Sequence, residues 1–183
     1  MRYAQIRNMD ISNGENLGVS LFVQGCQFHC KNCFNPETWN FNGGKEWTEE
    51  IKNKFFGLIN RPYIKRVSIL GGEPLADNNV FDVLNLILEI KNKFPDKSIW
   101  LYTGYTWKNL IDEFTIYQYT PFASGADEWL TRYEIIENVD VVVDGRYIDE
   151  QKDLTLKWCG SYNQRVIDAK RSLNEHKIVL YNN

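Results

Sequence analysis

The 183-residue chain reads as one α/β domain, a mostly parallel sheet of βα units curled into a partial, incomplete TIM-like barrel. Three observations predict this. Short apolar runs of strand type alternate with segments of helical periodicity at the spacing of βα units. Each later strand run ends in a turn of small residues, where the ligand-binding edge of such sheets lies. The length is also too small for a closed eight-unit barrel, which typically takes about 250 residues.

In chain order, Tyr3 to Arg7 reads as a short strand or edge segment, and Asp10 to Gly18 as a polar stretch with a tight turn at Asn13-Gly14. Val19 to Val23 is short and apolar, as expected of a strand buried on both faces. It delivers the chain into Gly25-Cys26-Gln27-Phe28-His29-Cys30-Lys31-Asn32-Cys33-Phe34-Asn35-Pro36. Asn40 to Lys45, with Gly43-Gly44, is a loop. Thr48 stands where an N-cap belongs, with Glu49 and Glu50 in the first turn of a helix reaching Ile59. Arg66 to Leu70 is the next strand and runs into Gly71-Gly72-Glu73-Pro74-Leu75. Asn78 or Asn79 opens a long helix to Phe94, with Phe81, Leu84, Ile87 and Leu88 at helical spacing and Ile90 extending the stripe; Pro95 stops it.

Ile99 to Thr103 is a third strand, ending in Gly104-Tyr105, and Thr106 caps a helix to about Phe114. Thr115 to Ile136 is the least legible stretch, with a loop over Thr120 to Gly125 and a helix over Asp127 to Ile136. Val139 to Val143 is the fourth clear strand, followed by Asp144-Gly145-Arg146-Tyr147. A charged loop, the stretch Lys157 to Arg171 and a final strand over Ile178 to Leu180 complete the chain. Neither repeats nor low-complexity segments interrupt it.

Hydrophobic residues at 43% and aromatics at 14% are enough to fill one core. A charged fraction of 25% and a net charge of -3 describe an ordinary surface without the basic footprint of a nucleic-acid binder. The longest apolar run, Val83 to Ile90, is broken by Asn85 and Glu89 and is too short to span a bilayer. The amino terminus lacks the apolar core of a signal peptide. Together these predict a cytoplasmic protein with neither nucleic acid nor membrane among its partners, in a compartment that keeps thiols reduced.

The chemistry concentrates in three thiols at C-x₃-C-x₂-C spacing: Cys26, Cys30 and Cys33. Thiolates are the usual protein ligands of iron–sulfur clusters, and so short a loop can converge three of them. A four-iron cluster with three protein ligands leaves one iron open to a small molecule. Two plainer readings stand beside this one. The thiols could pack as small inert hydrophobes, or Cys159 or His29 could complete a zinc site, although zinc patterns favour two separated C-x₂-C pairs. Gly71 and Gly72 permit positive φ and close backbone approach by a ligand, or simply connect a strand to a helix. Asp144 could accept from hydroxyls or an ammonium and Arg146 clamp a carboxylate, or both could lie in a solvated turn. His29 and His176 build no base-and-nucleophile pair, so a hydrolytic reading lacks its parts.

The cysteine loop resembles the signature of the radical S-adenosylmethionine superfamily. Phe22-Val23-Gln24-Gly25-Cys26, Cys33-Phe34-Asn35-Pro36-Glu37-Thr38-Trp39 and Gly160-Ser161-Tyr162-Asn163-Gln164-Arg165-Val166-Ile167-Asp168 are more specifically similar to the activases of anaerobic ribonucleotide reductase. Asn32 departs from the aromatic residue that many members of the superfamily carry before the third cysteine, and Phe34 follows it instead. The resemblance runs from Asn13 to Asp168 and implies a single radical S-adenosylmethionine domain over residues 1–183. It implies a [4Fe-4S] cluster on Cys26, Cys30 and Cys33, and S-adenosyl-L-methionine beside Asn32, Cys33 and Phe34. Gly71, Gly72 and Glu73 would meet the cofactor's ammonium, and Thr103, Asp144 and Arg146 would line its ribose and carboxylate side.

The implied activity is that of an oxidoreductase. An electron from a low-potential donor of flavodoxin or ferredoxin type cleaves the sulfonium, and the resulting 5′-deoxyadenosyl radical takes a hydrogen atom from a glycine of the reductase's large subunit. A pyruvate formate-lyase-type activase or a deazaguanine synthase is the nearest alternative, and a zinc-binding module the farther one. Cys159 falls outside the implied ligand set. Thr115 to Ile136 is longer than in similar activases and reads as an insertion.

Overall fold

The computed structural model describes residues 1–120 and 122–181. Among them, seven strands form one sheet in the order β3-β1-β2-β4-β5-β6-β7, accompanied by five α-helices. The strands are β1 (Arg2–Asp10), β2 (Gly18–Val23), β3 (Lys45–Glu46), β4 (Arg66–Gly71), β5 (Ser98–Tyr102), β6 (Val141–Asp144) and β7 (Arg165–Asp168). The helices are α1 (Glu49–Ile59), α2 (Val80–Lys93), α3 (Trp107–Tyr117), α4 (Ala126–Asn138) and α5 (Ala169–Glu175).

The sheet is mixed and not closed. Its centre, β2-β4-β5-β6, is parallel, while β1, β3 and β7 run antiparallel to their neighbours. Connection length explains the difference. A parallel return needs a crossover of about a dozen residues or more, usually a helix, and only the links through α1, α2 and α3–α4 supply one. Residues 11–17 are too few, so β1 folds back on β2; residues 145–164 hold only the 3₁₀ turn Asp149–Gln151, so β7 returns antiparallel to β6.

Local signals place most elements. Thr48 accepts from the Ile51 amide at 3.3 Å, capping α1, and Thr106 does the same for α3 with the Asn109 amide at 3.2 Å. Every residue of β2 is buried. Asn79 precedes α2 but does not cap it; its Nδ2 donates instead to the carbonyls of Gln24 and Glu73, each at 3.0 Å.

Two expectations are corrected. The buried stripe of α2 is Val80, Val83, Leu86, Ile87 and Ile90, while Phe81 (47%) and Leu88 (38%) face outward. This helix carries two overlapping apolar stripes about one residue apart, and only contact with the sheet chooses between them. The last strand is Arg165–Asp168; Leu180 makes a single bridge to Ile167 instead of a strand over Ile178 to Leu180. The helix expected over Asp127 to Ile136 spans Ala126–Asn138. In the loop expected over Thr120 to Gly125, Pro121 lies outside the described residues. No helix among the described residues is long and apolar enough to cross a membrane.

Alternation along the strands divides the sheet into two faces. Val19, Leu21, Val67, Ile69, Ile99, Leu101 and Val142 pack against the helices in the main core. Ser20, Phe22, Arg66, Ser68, Leu70, Trp100 and Tyr102 occupy the alternate positions on β2, β4 and β5, on the face that the loops cover. Below that face, Trp100, Trp158 and Tyr181 pack edge to face. At its heart Arg66 is fully buried and lies 3.6 Å from the equally buried Asp10 carboxylate. The guanidinium donates to the carbonyls of Asp10 (2.7 Å), Glu15 (3.1 Å) and Asn13, which secures the 11–17 loop over the sheet.

Candidate metal centre

The cysteine loop leaves the carboxyl end of β2 and is closed at its neck by backbone bonds. Gly25 N donates to Thr38 O at 2.7 Å and Cys26 N to Trp39 O at 3.1 Å. Gln24 reinforces the closure from below, its Nε2 donating to Glu37 O (3.0 Å) and Asn40 O (2.8 Å). Inside the loop Cys33 N bonds Cys30 O at 3.1 Å, and Asn35 N points to Cys33 Sγ at 3.4 Å. Cys26, Cys30 and Cys33 thereby line one cavity of about 370 Å³ at the carboxyl edge of the sheet.

The Gly71-Gly72-Glu73 turn shares that cavity. Gly71 has φ +105°, and a Cβ there would stand 2.7 Å from Phe22 Cα, so glycine is required on both counts. Gly72 N and Glu73 N bond the carbonyls of Val23 (2.9 Å) and Gly25 (2.7 Å), joining the turn to the cysteine strand. The Glu73 carboxylate is buried and accepts from Thr103 Oγ1 (2.8 Å), Leu75 N (2.8 Å) and Gly104 N (2.7 Å). Its role in the wall is thus to bind the β4 and β5 turns together. Burial pushes its carboxyl up to about 7, against the opposing pull of those donors and of Arg132.

Of the residues expected at the site, Cys26, Cys30, Cys33, Phe34, Gly71, Gly72, Glu73, Thr103 and Arg146 line the cavity. Two do not. Asp144 follows Val143 on β6 and so turns to the helix side, where it accepts from Trp107 N at 2.7 Å and from Arg165 Nε at 3.0 Å. Asn32 is exposed and bonds Asp149. Arg146 lies over the Phe28 ring, 4.2 Å from its centroid.

Several lining residues escaped sequence reasoning. Phe22, Leu70 and Tyr102 do so because the face of a strand buried on both sides cannot be read from its composition. Ser12 and Asn13 arrive through the loop that Arg66 holds. The 160–164 segment, for which the sequence offered no physical role, braces the turn after β6. Gln164 Nε2 donates to Gly145 O (2.9 Å), Asn163 Nδ2 to Arg146 O (2.7 Å), and Ser161 Oγ accepts from Ile148 N (3.2 Å). Cys159, remote in sequence, also reaches the cavity wall, packed among Trp100, Tyr102 and Trp158.

Residues 12–167 match the family described as a 4Fe-4S single cluster domain. The chain is 36% identical over 166 residues to the anaerobic ribonucleoside-triphosphate reductase-activating protein of Vibrio cholerae serotype O1, covering 90% of this chain and 96% of that one. This chain belongs to the family of anaerobic ribonucleoside-triphosphate reductase-activating proteins. The proteins of that name from Escherichia coli K12 (34% identity over 168 residues, 91% of this chain and 97% of that one) and from Enterobacteria phage T4 (33% over 168 residues, 91% and 93%) agree.

The donor set of this activating-protein homologue fits an iron–sulfur cluster better than a zinc ion. Zinc gathers its donors around a single point, and among the described residues no group of three or more His, Cys, Asp or Glu side chains is arranged to hold a single metal ion. Three thiols lining one cavity suit a cube, which takes its ligands at separate corners. Burial pushes the Cys26 thiol up to about 11 and raises Cys30 as well, so both are neutral without a metal and would have to release protons to bind one.

Proposed function

We propose that this chain is a radical S-adenosylmethionine activase, an oxidoreductase that generates a glycyl radical on the large subunit of an anaerobic ribonucleotide reductase. The supporting observation is that the Cys26, Cys30 and Cys33 thiols share one cavity with the Gly71-Gly72-Glu73 turn. When bound, a [4Fe-4S] cluster held by three thiolates supplies an open iron for S-adenosyl-L-methionine and the electron for its reductive cleavage. The chain's own residues hold and orient. The backbone at Gly71 and Gly72, clear of side chains, meets the methionine ammonium. Arg146, which lines the cavity over the Phe28 ring, pairs with the carboxylate. Thr103 steadies Glu73, and Phe22, Phe34 and Leu70 keep water from the reacting atoms. Asn32 and Asp144 serve this site from outside the cavity.

The reading extends to a single domain over residues 1–183 with the curl of an incomplete barrel, cytoplasmic location and a low-potential donor of flavodoxin or ferredoxin type. The reductase completes the cavity.

The test is anaerobic loading with iron and sulfide, followed by incubation with S-adenosyl-L-methionine, reductant and purified reductase. The expected result is a brown protein that produces a glycyl signal in electron spin resonance. Absence of iron, or a cluster whose four irons are all capped by side chains, with Cys159 as the fourth, would refute the reading. Cys159→Ala is therefore expected to load and react as the parent does.

A further inference from the structure

Both gaps between the cysteines end on a left-handed residue. His29 (φ +45°) immediately precedes Cys30, and Asn32 (φ +54°) immediately precedes Cys33. Such backbone is uncommon away from glycine and persists where the surroundings over-determine it. Each of these residues turns the chain sharply and so decides where the thiol after it points. Each is also gripped from beyond its own gap. The His29 ring stacks on Trp39, with centroids 4.7 Å apart and planes 24° from parallel. Asn32 Nδ2 donates to Asp149 Oδ2 at 2.7 Å, and the other Asp149 oxygen accepts from the Tyr147 hydroxyl at 2.9 Å. One residue earlier, Lys31 Nζ reaches Glu150 Oε1 at 2.9 Å.

We infer that Asn32 and Asp149 are a positioning pair: the carboxylate holds Asn32 in the left-handed conformation that aims the Cys33 thiol into the cavity it shares with Cys26 and Cys30. Asn32 therefore acts through the loop's shape and not by touching a cofactor. It is suited to that task, because asparagine adopts left-handed backbone more readily than most residues and brings a side-chain donor with it. The 3₁₀ turn that carries Asp149 lies after β6, so the pair ties the first strand-end loop of the parallel sheet to the last. The inference rests on the three cysteines being the cluster ligands.

Two measurements on the full chain test it. Trypsin cleavage after Lys31 in metal-free protein reports opening of the loop, and loss of iron to a chelator from anaerobically loaded protein reports the ligand set. An exposed hydrogen bond to a charged group predicts about threefold to fivefold faster cleavage and iron loss for Asp149→Ala. Asp149→Asn, whose amide oxygen still accepts from Asn32, is expected to stay within about twofold of the parent. Asn32→Val should match or exceed Asp149→Ala, since a β-branched residue resists left-handed backbone, and Asn32→Gly should fall between. Thermal unfolding of each metal-free variant separates loop opening from general loss of fold. Parent-like rates for Asp149→Ala, or an Asp149→Asn variant as impaired as the alanine, would overturn the inference. A parent protein that takes up no iron would sink the ligand assignment alone, while the trypsin comparison still decides whether Asp149 holds the loop.

Discussion

The two faces of the central sheet are built from alternate residues of the same strands and have opposite characters. Toward the helices, Leu21, Ile69, Leu101 and Val142 are fully buried in apolar company. Toward the loops, the strands carry Ser20, Arg66 and Ser68 low down and Phe22, Leu70 and Tyr102 at the cavity. Helices satisfy their own backbone and can offer a wholly apolar surface, so that face contributes mainly to stability. Loops bring unpaired carbonyls, which need donors such as Arg66, and they leave room for a ligand. Stability and chemistry are thus separated across the thickness of one sheet.

Substitution on each side tests the separation. The largest expected effect is chemical: Cys30→Ser should abolish cleavage of S-adenosyl-L-methionine, whereas its metal-free form should melt within about 2 °C of the parent. A large drop in the metal-free melting temperature would show that the loop also carries the fold. Next comes Arg66→Met, which removes the buried cation beside Asp10 and leaves the loop carbonyls of Asp10, Asn13 and Glu15 without their donor. It should cost about 3–5 kcal/mol in urea unfolding, and a cost below 1 kcal/mol would mean that the loop-covered face stands without its cation. On the helix side Leu101→Ala should cost about 2–5 kcal/mol while the folded variant retains iron normally.

The smallest effect is a pH dependence. Because the folded carboxyl of Glu73 titrates at about 7 against an ordinary 4.5, the folded state keeps a proton that the unfolded chain loses first. Its contribution is full below pH 4.5 and declines as the pH rises to about 7, by a total on the order of 1–3 kcal/mol. Metal-free parent protein should therefore lose stability across that window relative to Glu73→Gln, and parallel profiles would discount the burial of this group.

Much of the arrangement was legible beforehand where the signal is local. Thr48 and Thr106 announce their helices because a cap acts over three residues. The C-x₃-C-x₂-C loop and the Gly71-Gly72 turn announce the cavity because both need special backbone at a strand end. Legibility failed where a choice lay between faces. Asp144 has the chemistry to bind a cofactor, yet strand alternation turns it to Arg165. Phe81 and Leu88 have the spacing of a buried stripe, yet the neighbouring stripe of α2 meets the sheet.

By itself the sequence determined the spacing of the three thiols, the glycines that let the β4 turn approach β2, the alternation of strands and helices from β4 to β6, and the capping of α1 and α3, since all of these are settled by covalent spacing and short-range hydrogen bonds. Only the tertiary structure decided that the outer strands run antiparallel, that Arg66 secures the 11–17 loop, that Asp149 grips Asn32, and that Cys159 joins the cavity wall. The last three depend on partners from 50 to more than 100 residues apart, as in Arg66 with Glu15 and Asn32 with Asp149, brought together by burial of the sheet and by no pattern along the chain.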